Sequence, residues 1–424
     1  MLQDLRMDRA TAEEMDRHDP LAPFRRRFGV GDDGPIYMDG NSLGRPPLEV
    51  TAAVTAGLSD WRDRLVAGWE DWIDLPAAVG DRLGRLLGAA AGQVLVCDST
   101  TVNLYKLAAA ALAAGDDRRE IVGDAADFPT DRYVLEGLAA ATGRRLHLVD
   151  TGPAPEVAGD DASAAEALAG AIGDETALVC LSHVNYRSGA RLDVAGLTER
   201  AHARGALVLW DLAHSAGAVP VELDRWGVDL AVGCTYKYLN SGPGAPGFLY
   251  VRRDLHERLR QPIWGWFGRA RQFEMGEGYE PAPGIASYLT GTPGVLGLLA
   301  VDASLRLVEE AGIAALWAKS EQLTAMLVEL VDEKLVPLGA RLATPRRPGS
   351  RGAHVSVAHP DAWAWCRTLI ERGLVVPDFR TPDVVRLGPA PLYTRYVDCY
   401  DAVERMASVL ASGLDVVAAP GRVT

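Results

Sequence analysis

The sequence predicts an α/β protein, with a large unit on a mostly parallel sheet and a smaller α+β unit towards the carboxyl end. Three observations carry that expectation. Short, nearly all-apolar runs such as Ala206-Leu-Val-Leu-Trp210 and Phe248-Leu-Tyr-Val251 recur through the first part of the chain, the pattern of strands buried on both faces of a parallel sheet. Most of the earlier runs stop at a polar cluster and lead into a helix-spaced stretch, the strand, polar tip and helix repeat of α/β folds. Beyond residue 300 the order changes to helices divided by short strands. Three segments follow: residues 1–34 packing with the small unit, 35–300 forming the large domain, and 301–424 forming the small one.

At 424 residues the chain is long enough for a large core. Its 43 basic and 57 acidic residues give a net charge of −14 with no basic stripe, so nucleic acid and anionic membrane are poor partners. The stretch Met1–Arg9 has charges where a signal peptide needs an apolar core, and no apolar run reaches membrane-span length. A cytoplasmic protein is expected. The five cysteines, Cys97, Cys180, Cys234, Cys366 and Cys399, are scattered without paired spacing, which predicts reduced, buried thiols and no metal site.

Taken in order, Thr11–Met15 lies in a helix of mixed charge. Ile36–Met38 is a short strand broken at Asp39-Gly-Asn41-Ser42-Leu-Gly44, either a tight turn or a segment closing over a substrate. Helical spacing runs from Leu48 to Ala91; Trp61 and Trp72 read as packing residues, and Trp69, where the pattern breaks, as a candidate for facing a cleft. Val94–Cys97 is a strand whose tip, Asp98-Ser-Thr100-Thr101, opens the helix Leu104–Ala114. Hydroxyls there cap the helix or, with its free N–H groups, bind phosphate. Glu120–Gly123 leads to Asp124–Asp131, where Pro129 holds Phe128 extended, in the core or flat against a ligand ring. Leu146–Asp150 is a strand, 151–170 a surface loop and helix, and Ala177–Leu181 a strand ending in Ser182-His-Val-Asn-Tyr-Arg-Ser-Gly189. Ser241–Gly247 is a glycine turn letting the chain double back near a ligand, and Gly291-Thr292-Pro293 caps the helix Val295–Gly312. Helices near 313–332 and 361–373, strands near 354–357 and 384–387, and a last helix at 396–413 complete the small unit. Arg386 is a lone cation on an apolar strand, either at the surface or clamping a carboxylate with its fork.

Asp211 and Lys237 end two successive buried runs and so project side by side from the carboxyl edge of the sheet, where open α/β folds bind ligands. An ion pair is one reading. The other is pyridoxal phosphate chemistry, in which a lysine forms a Schiff base with the aldehyde while an aspartate keeps the pyridine nitrogen protonated.

Eight collinear motifs narrow this further: Tyr37–Gly44, Asp98–Lys106, Phe128–Asp131, Ser182–Gly189, Trp210–His214, Tyr236–Asn240, Gly265–Gly268 and Pro389–Tyr393. In order and spacing they resemble kynureninase over residues 36–395. The resemblance implies a fold-type I pyridoxal phosphate enzyme with a mostly parallel seven-stranded sheet, acting as a homodimer with shared active sites. The implied reaction is hydrolysis of L-kynurenine, or its 3-hydroxy form, to anthranilate or 3-hydroxyanthranilate and L-alanine, in tryptophan catabolism and NAD biosynthesis. Carried over by position, Lys237 resembles the Schiff-base lysine, Asp211 the partner of the pyridine nitrogen and Phe128 the ring-stacking residue. Asp131 and His214 are implied close to the cofactor. Thr100, Thr101, Ser182 and Tyr236 correspond to further cofactor contacts, Tyr236 doubling as the proton carrier, and Trp266 and Thr292 to contacts from the neighbouring subunit. Arg386 matches the arginine holding the substrate α-carboxylate, with Asn41, Ser42 and Trp69 as further substrate contacts.

The chain departs from the family pattern at Arg269, where histidine usually follows Trp-Phe-Gly, and Trp69 stands where some relatives carry histidine and others an aromatic. The resemblance implies that both lie near the substrate ring and bear on which ring is preferred. The rival readings are another fold-type I enzyme, an aminotransferase or cysteine desulfurase, and a non-catalytic cofactor-binding dimer. A desulfurase needs a nucleophilic cysteine on a loop, whereas Cys366 and Cys399 fall inside amphipathic stretches; mere binding needs neither Tyr236 nor Arg386.

Overall fold

The computed structural model describes residues 7–31, 34–115, 117–152 and 161–414, with side chains from 163 in the last segment. The surface loop expected from 151 lies mostly outside these residues. The described strands are β1 (Ile36–Tyr37), β2 (Val94–Val96), β3 (Glu120–Asp124), β4 (Arg145–Val149), β5 (Thr176–Ser182), β6 (Leu207–Asp211), β7 (Leu230–Gly233), β8 (Phe248–Val251), β9 (Arg341–Leu342), β10 (Val355–Ala358), β11 (Val375–Val376), β12 (Asp378–Arg380) and β13 (Val384–Leu387).

Seven of them form one sheet in the order β2-β8-β7-β6-β5-β3-β4. Neighbours from β7 to β4 pair in parallel, and β8 alone runs against its neighbours. The alternation of side chains across a strand divides the core in two. Leu178, Cys180 and Leu209 join the cluster on one face; Val179, Leu181, Val208 and Trp210 join that on the other. All seven residues of β5 are buried, which explains its unbroken apolar run. Trp210 carries no unpaired polar group there, because its Nε1 donates to Thr198 Oγ1 at 3.1 Å.

Capping residues set where the covering helices begin and end. Asp193 accepts from Gly196 N at 3.1 Å to open Val194–His202. Pro129 stands first in Pro129–Thr142, and Gly143, at φ 68°, ends it. The chain turns outward from β3 to β4 and then returns to place β5 on the other side of β3. That reversal is the kind of switch point at which open α/β sheets leave a crevice beyond the strand ends.

The second sheet, β12-β13-β10-β9, is antiparallel. Its core takes in Met7 and Ala12 from the amino end, whereas Leu21 and Phe28 join the large core. β1 pairs in parallel with β11, and Asp39 bridges Gly388. The turn holding Asn41 and Ser42 is thereby docked beside the strand bearing Arg386.

Several local expectations need correction. The helix expected from Leu104 begins at Thr100, because Ser99 accepts from Val102 N at 3.3 Å and caps it there. Gly294, not Thr292, occupies the N-cap of Val295–Ala311, with no side-chain bond. Trp61 is 57% exposed on the outer face of Leu48–Arg64, so it does not pack in the core, while Trp72 is buried. No described helix is long and apolar enough to cross a membrane.

Candidate active site

A cavity of about 290 Å³ opens at the carboxyl edge of the large sheet, beside the switch point. Phe128, Thr130 and Asp131 reach it from beyond β3, Ser182 from the end of β5, Asp211 from β6 and Lys237 from beyond β7. Register puts Ser182 directly beside Asp211. Thr100 and Thr101 line it at the start of a 15-residue helix, and Ser42, Arg380 and Arg386 bring in the small sheet. A larger cavity of about 350 Å³ shares Ser182 and Tyr186 but lacks Lys237, so its volume does not mark the chemistry.

Lys237 Nζ lies 3.3 Å from His214 Nε2. Burial lowers the pKa of both, and for His214 the nearby Lys237 adds to this. The histidine is thus neutral and the lysine closer to a free amine than an exposed one. Asp211 is fixed by Ala213 N, which donates at 2.7 Å. Burial raises its pKa, opposed by Lys237, the Ala213 N–H and a hydrogen bond with Asp131. Asp131 is raised well above the carboxylate range by burial and then by the charge of Asp211, which favours its protonated form. Tyr236 meets the Cys234 thiol; that contact and burial raise its pKa and keep the phenol protonated. Asp127 accepts from Ser182 N at 3.3 and 3.2 Å, tying the β3 and β5 tips together.

One end of the cavity is suited to an anion. Thr100 Oγ1 is buried without a hydrogen-bond partner, at a helix amino terminus that favours anions. Gly247 backs it so closely that a Cβ there would lie 2.9 Å from Thr100 N. Phe128, 41% exposed, faces the cavity and does not pack in the core.

Arg386 is buried to 1% side-chain exposure, which removes the surface reading. Its Nη2 pairs with Asp378 and donates to Ser42 Oγ at 3.0 Å, and its Nη1 donates to Tyr186 O. Asn41 does not line the cavity. It is fully buried, and with its amide oxygen turned to the guanidinium it accepts from Nε and Nη2 at 3.1 Å each. Trp69 also lies elsewhere, lining an apolar cavity with Trp61, Leu65 and Val66, its ring 5.7 Å from Trp72 and 5.9 Å from Phe267. Trp266, 39% exposed, and the exposed Thr292 do not line their own chain's cavity. Arg269 is engaged by backbone carbonyls of residues 270, 271 and 278.

Comparison with known proteins identifies the family. Residues 316–406 match the family model "Kynureninase C-terminal domain". A kynureninase of Pseudomonas fluorescens is 42% identical over 405 residues, covering 93% of this chain and 94% of that protein. One from Burkholderia pseudomallei (strain 1106a) is 41% identical over 411 residues, covering 95% of each.

The chain belongs to the kynureninase family.

Among solved structures, a mutant of the C-DES protein, with glycine covalently linked to its PLP cofactor, superposes with a TM-score of 0.79 at 20% identity. The match covers 90% of this chain and 98% of that one. A cysteine desulfurase from Thermococcus onnurineus NA1 gives 0.76 at 20% identity, covering 94% and 98%. These likenesses establish the fold of pyridoxal phosphate enzymes. In this kynureninase family member no cysteine lines the Lys237 cavity, and all five thiols are free and buried. Thr130, Tyr186 and Arg380 line the cavity, and Asp378 lies behind it, none of them assigned from the sequence. Tyr186 sat inside a recognised motif. Asp378-Phe-Arg380 carried only the alternation of a three-residue strand, too short to read.

Proposed function

We propose that the protein hydrolyses the Cβ–Cγ bond of L-kynurenine or its 3-hydroxy form, releasing anthranilate or 3-hydroxyanthranilate and L-alanine, with pyridoxal phosphate attached at Lys237. The observation carrying this reading is that Lys237, Asp211 and the two cavity arginines face one another in a single cavity. The residues fit the cofactor. Asp211 is a buried acid whose charge a protonated pyridine nitrogen would stabilise, Phe128 offers a ring face, and the partnerless Thr100 hydroxyl would meet phosphate oxygens. Ser182, Thr101, His214 and Tyr236 complete the enclosure. Once bound, pyridoxal phosphate supplies an electron sink for charge developing at the substrate Cα.

The remaining chemistry belongs to the protein. Arg386, with Ser42 beside it, orients the substrate through its α-carboxylate, and the Lys237 amine takes the Cα proton. Water adds to the γ-carbonyl, and cleavage leaves the electron pair on Cβ. Tyr236 keeps its proton at neutral pH and would donate it there. Asp131, favoured in its protonated form by burial and by Asp211, limits the repulsion that two buried carboxylates would otherwise create.

The protein is expected to act as a cytoplasmic homodimer. Trp266 and Thr292 would then serve the partner's site, and Trp69 would meet the substrate ring only once the second subunit covers its apolar cavity. Incubation of the holoenzyme with L-kynurenine should release anthranilate and alanine, with release abolished in Lys237→Ala. Unchanged release by that variant would overturn the assignment.

A further inference from the structure

The donors of Arg386 are largely engaged by the protein itself. Nη2 is shared between Asp378 and Ser42, Nε and Nη2 face the Asn41 oxygen, and Nη1 reaches Tyr186 O. A substrate carboxylate therefore finds few free N–H groups on that fork. Arg380 differs. Its side chain is 23% exposed against 1% for Arg386, and both line the Lys237 cavity.

Strand geometry explains the placement. Asp378 and Arg380 are two residues apart on β12, so they share a face, and Asp378 pairs across the antiparallel ladder with Arg386. Asp378 Oδ2 then takes Arg386 Nη2 on one side and Arg380 Nη2, at 2.9 Å, on the other, with Ser42 Oγ donating to it at 2.7 Å. Asp378 itself is fully buried and does not line the cavity. One carboxylate thus faces two guanidiniums. The other acid nearby, Asp39, is pushed towards neutrality by burial and by Asp378. The wall is left with an excess positive charge, the complement of one more carboxylate.

We propose that Arg380 is a second carboxylate-binding residue: the substrate α-carboxylate is held between Arg380 and Arg386, with Asp378 as the buried counter-ion that spaces the two cations. This rests on reading the cavity as an amino-acid site but goes beyond the single-arginine clamp. Two cations also make the site selective for acids over their neutral amides, since an amide gains nothing from the second guanidinium.

The test is direct binding to the holoenzyme by calorimetry, independent of turnover. The probes are a 4-aryl-4-oxobutanoate, which is the substrate skeleton without its amino group, and the matching carboxamide. The wild type should prefer the acid. In Arg380→Gln, acid binding should weaken by about 10- to 100-fold, as expected for losing one charge-assisted partner, with amide binding within about twofold of the wild type. Arg380→Lys, which keeps the charge but not the fork, should lose less and covers the case in which the Gln variant does not fold. An acid-to-amide ratio unchanged in the variants would overturn the proposal, as would a wild type indifferent to the carboxylate. Failure to cleave kynurenine would overturn the assigned reaction and leave this ratio standing.

Discussion

Asp39 shows how a single carboxyl couples the small sheet to pH. It lies under the arginine pair, and burial, followed by the charge of Asp378, raises its pKa to about 7. In the unfolded chain it ionises near pH ~4. Its stabilising contribution is therefore fully present below that value and is lost as pH rises through about 7, up to roughly 4 kcal/mol for a shift of about three units. Asn cannot ionise, so the melting temperature of Asp39→Asn relative to the wild type should move in the variant's favour between about pH 5 and about pH 8. Thermal scans giving a constant difference across that range would contradict the assignment. At this scale the sequence was most legible where chemistry restricts residue choice. Lys237, Asp211 and Phe128 stood out as charges or a ring at strand ends and Arg386 as a lone cation on an apolar strand, and the fold brings them to one cavity. Asn41 and Trp69 do not line the Lys237 cavity of their own chain, because sequence order shows which segment a residue occupies but not which way it points. Asn41 turns inward onto Arg386, and Trp69 packs with Trp72 and Phe267.

Elements become legible when they are long enough for their period to show. Most strands of the large sheet were marked by an apolar run, and β4 by alternation, yet the reversed direction of β8 was not marked, because pairing direction leaves no trace on a four-residue apolar segment. β9, β11 and β12 have two or three residues each and were missed for the same reason. One close approach between elements offers a direct test. Gly44 donates its N–H to Tyr236 O at 2.8 Å, and a Cβ on it would lie 2.3 Å from both Lys237 O and Asn240 Oδ1. The turn after β1 therefore rests on the Lys237 loop, and nothing larger than hydrogen fits between them. Gly44→Ala should cost about 1–3 kcal/mol in stability by overpacking and should lower kcat by displacing Lys237. Denaturant titration and steady-state kinetics check both, and an unperturbed variant would mean that the two loops part easily.

The whole molecule is organised so that the site lies where the carboxyl edge of the large sheet meets the small sheet. One chain supplies the lysine, the two aspartates and the arginine pair, but Trp266 and Thr292 are exposed and do not line its own cavity. If each site is shared, mixing inactive Lys237→Ala with an inactive Trp266→Ala protein should restore up to about a quarter of wild-type activity through hybrid dimers. No recovery after confirmed subunit exchange would indicate self-contained sites. The central claim, hydrolysis at Lys237, is tested most directly by following the wild-type holoenzyme with L-kynurenine and quantifying both halves of the substrate. Anthranilate and L-alanine in equal amounts are the predicted result. A keto acid formed without anthranilate, or sulfide released from cysteine while kynurenine stays intact, would contradict it.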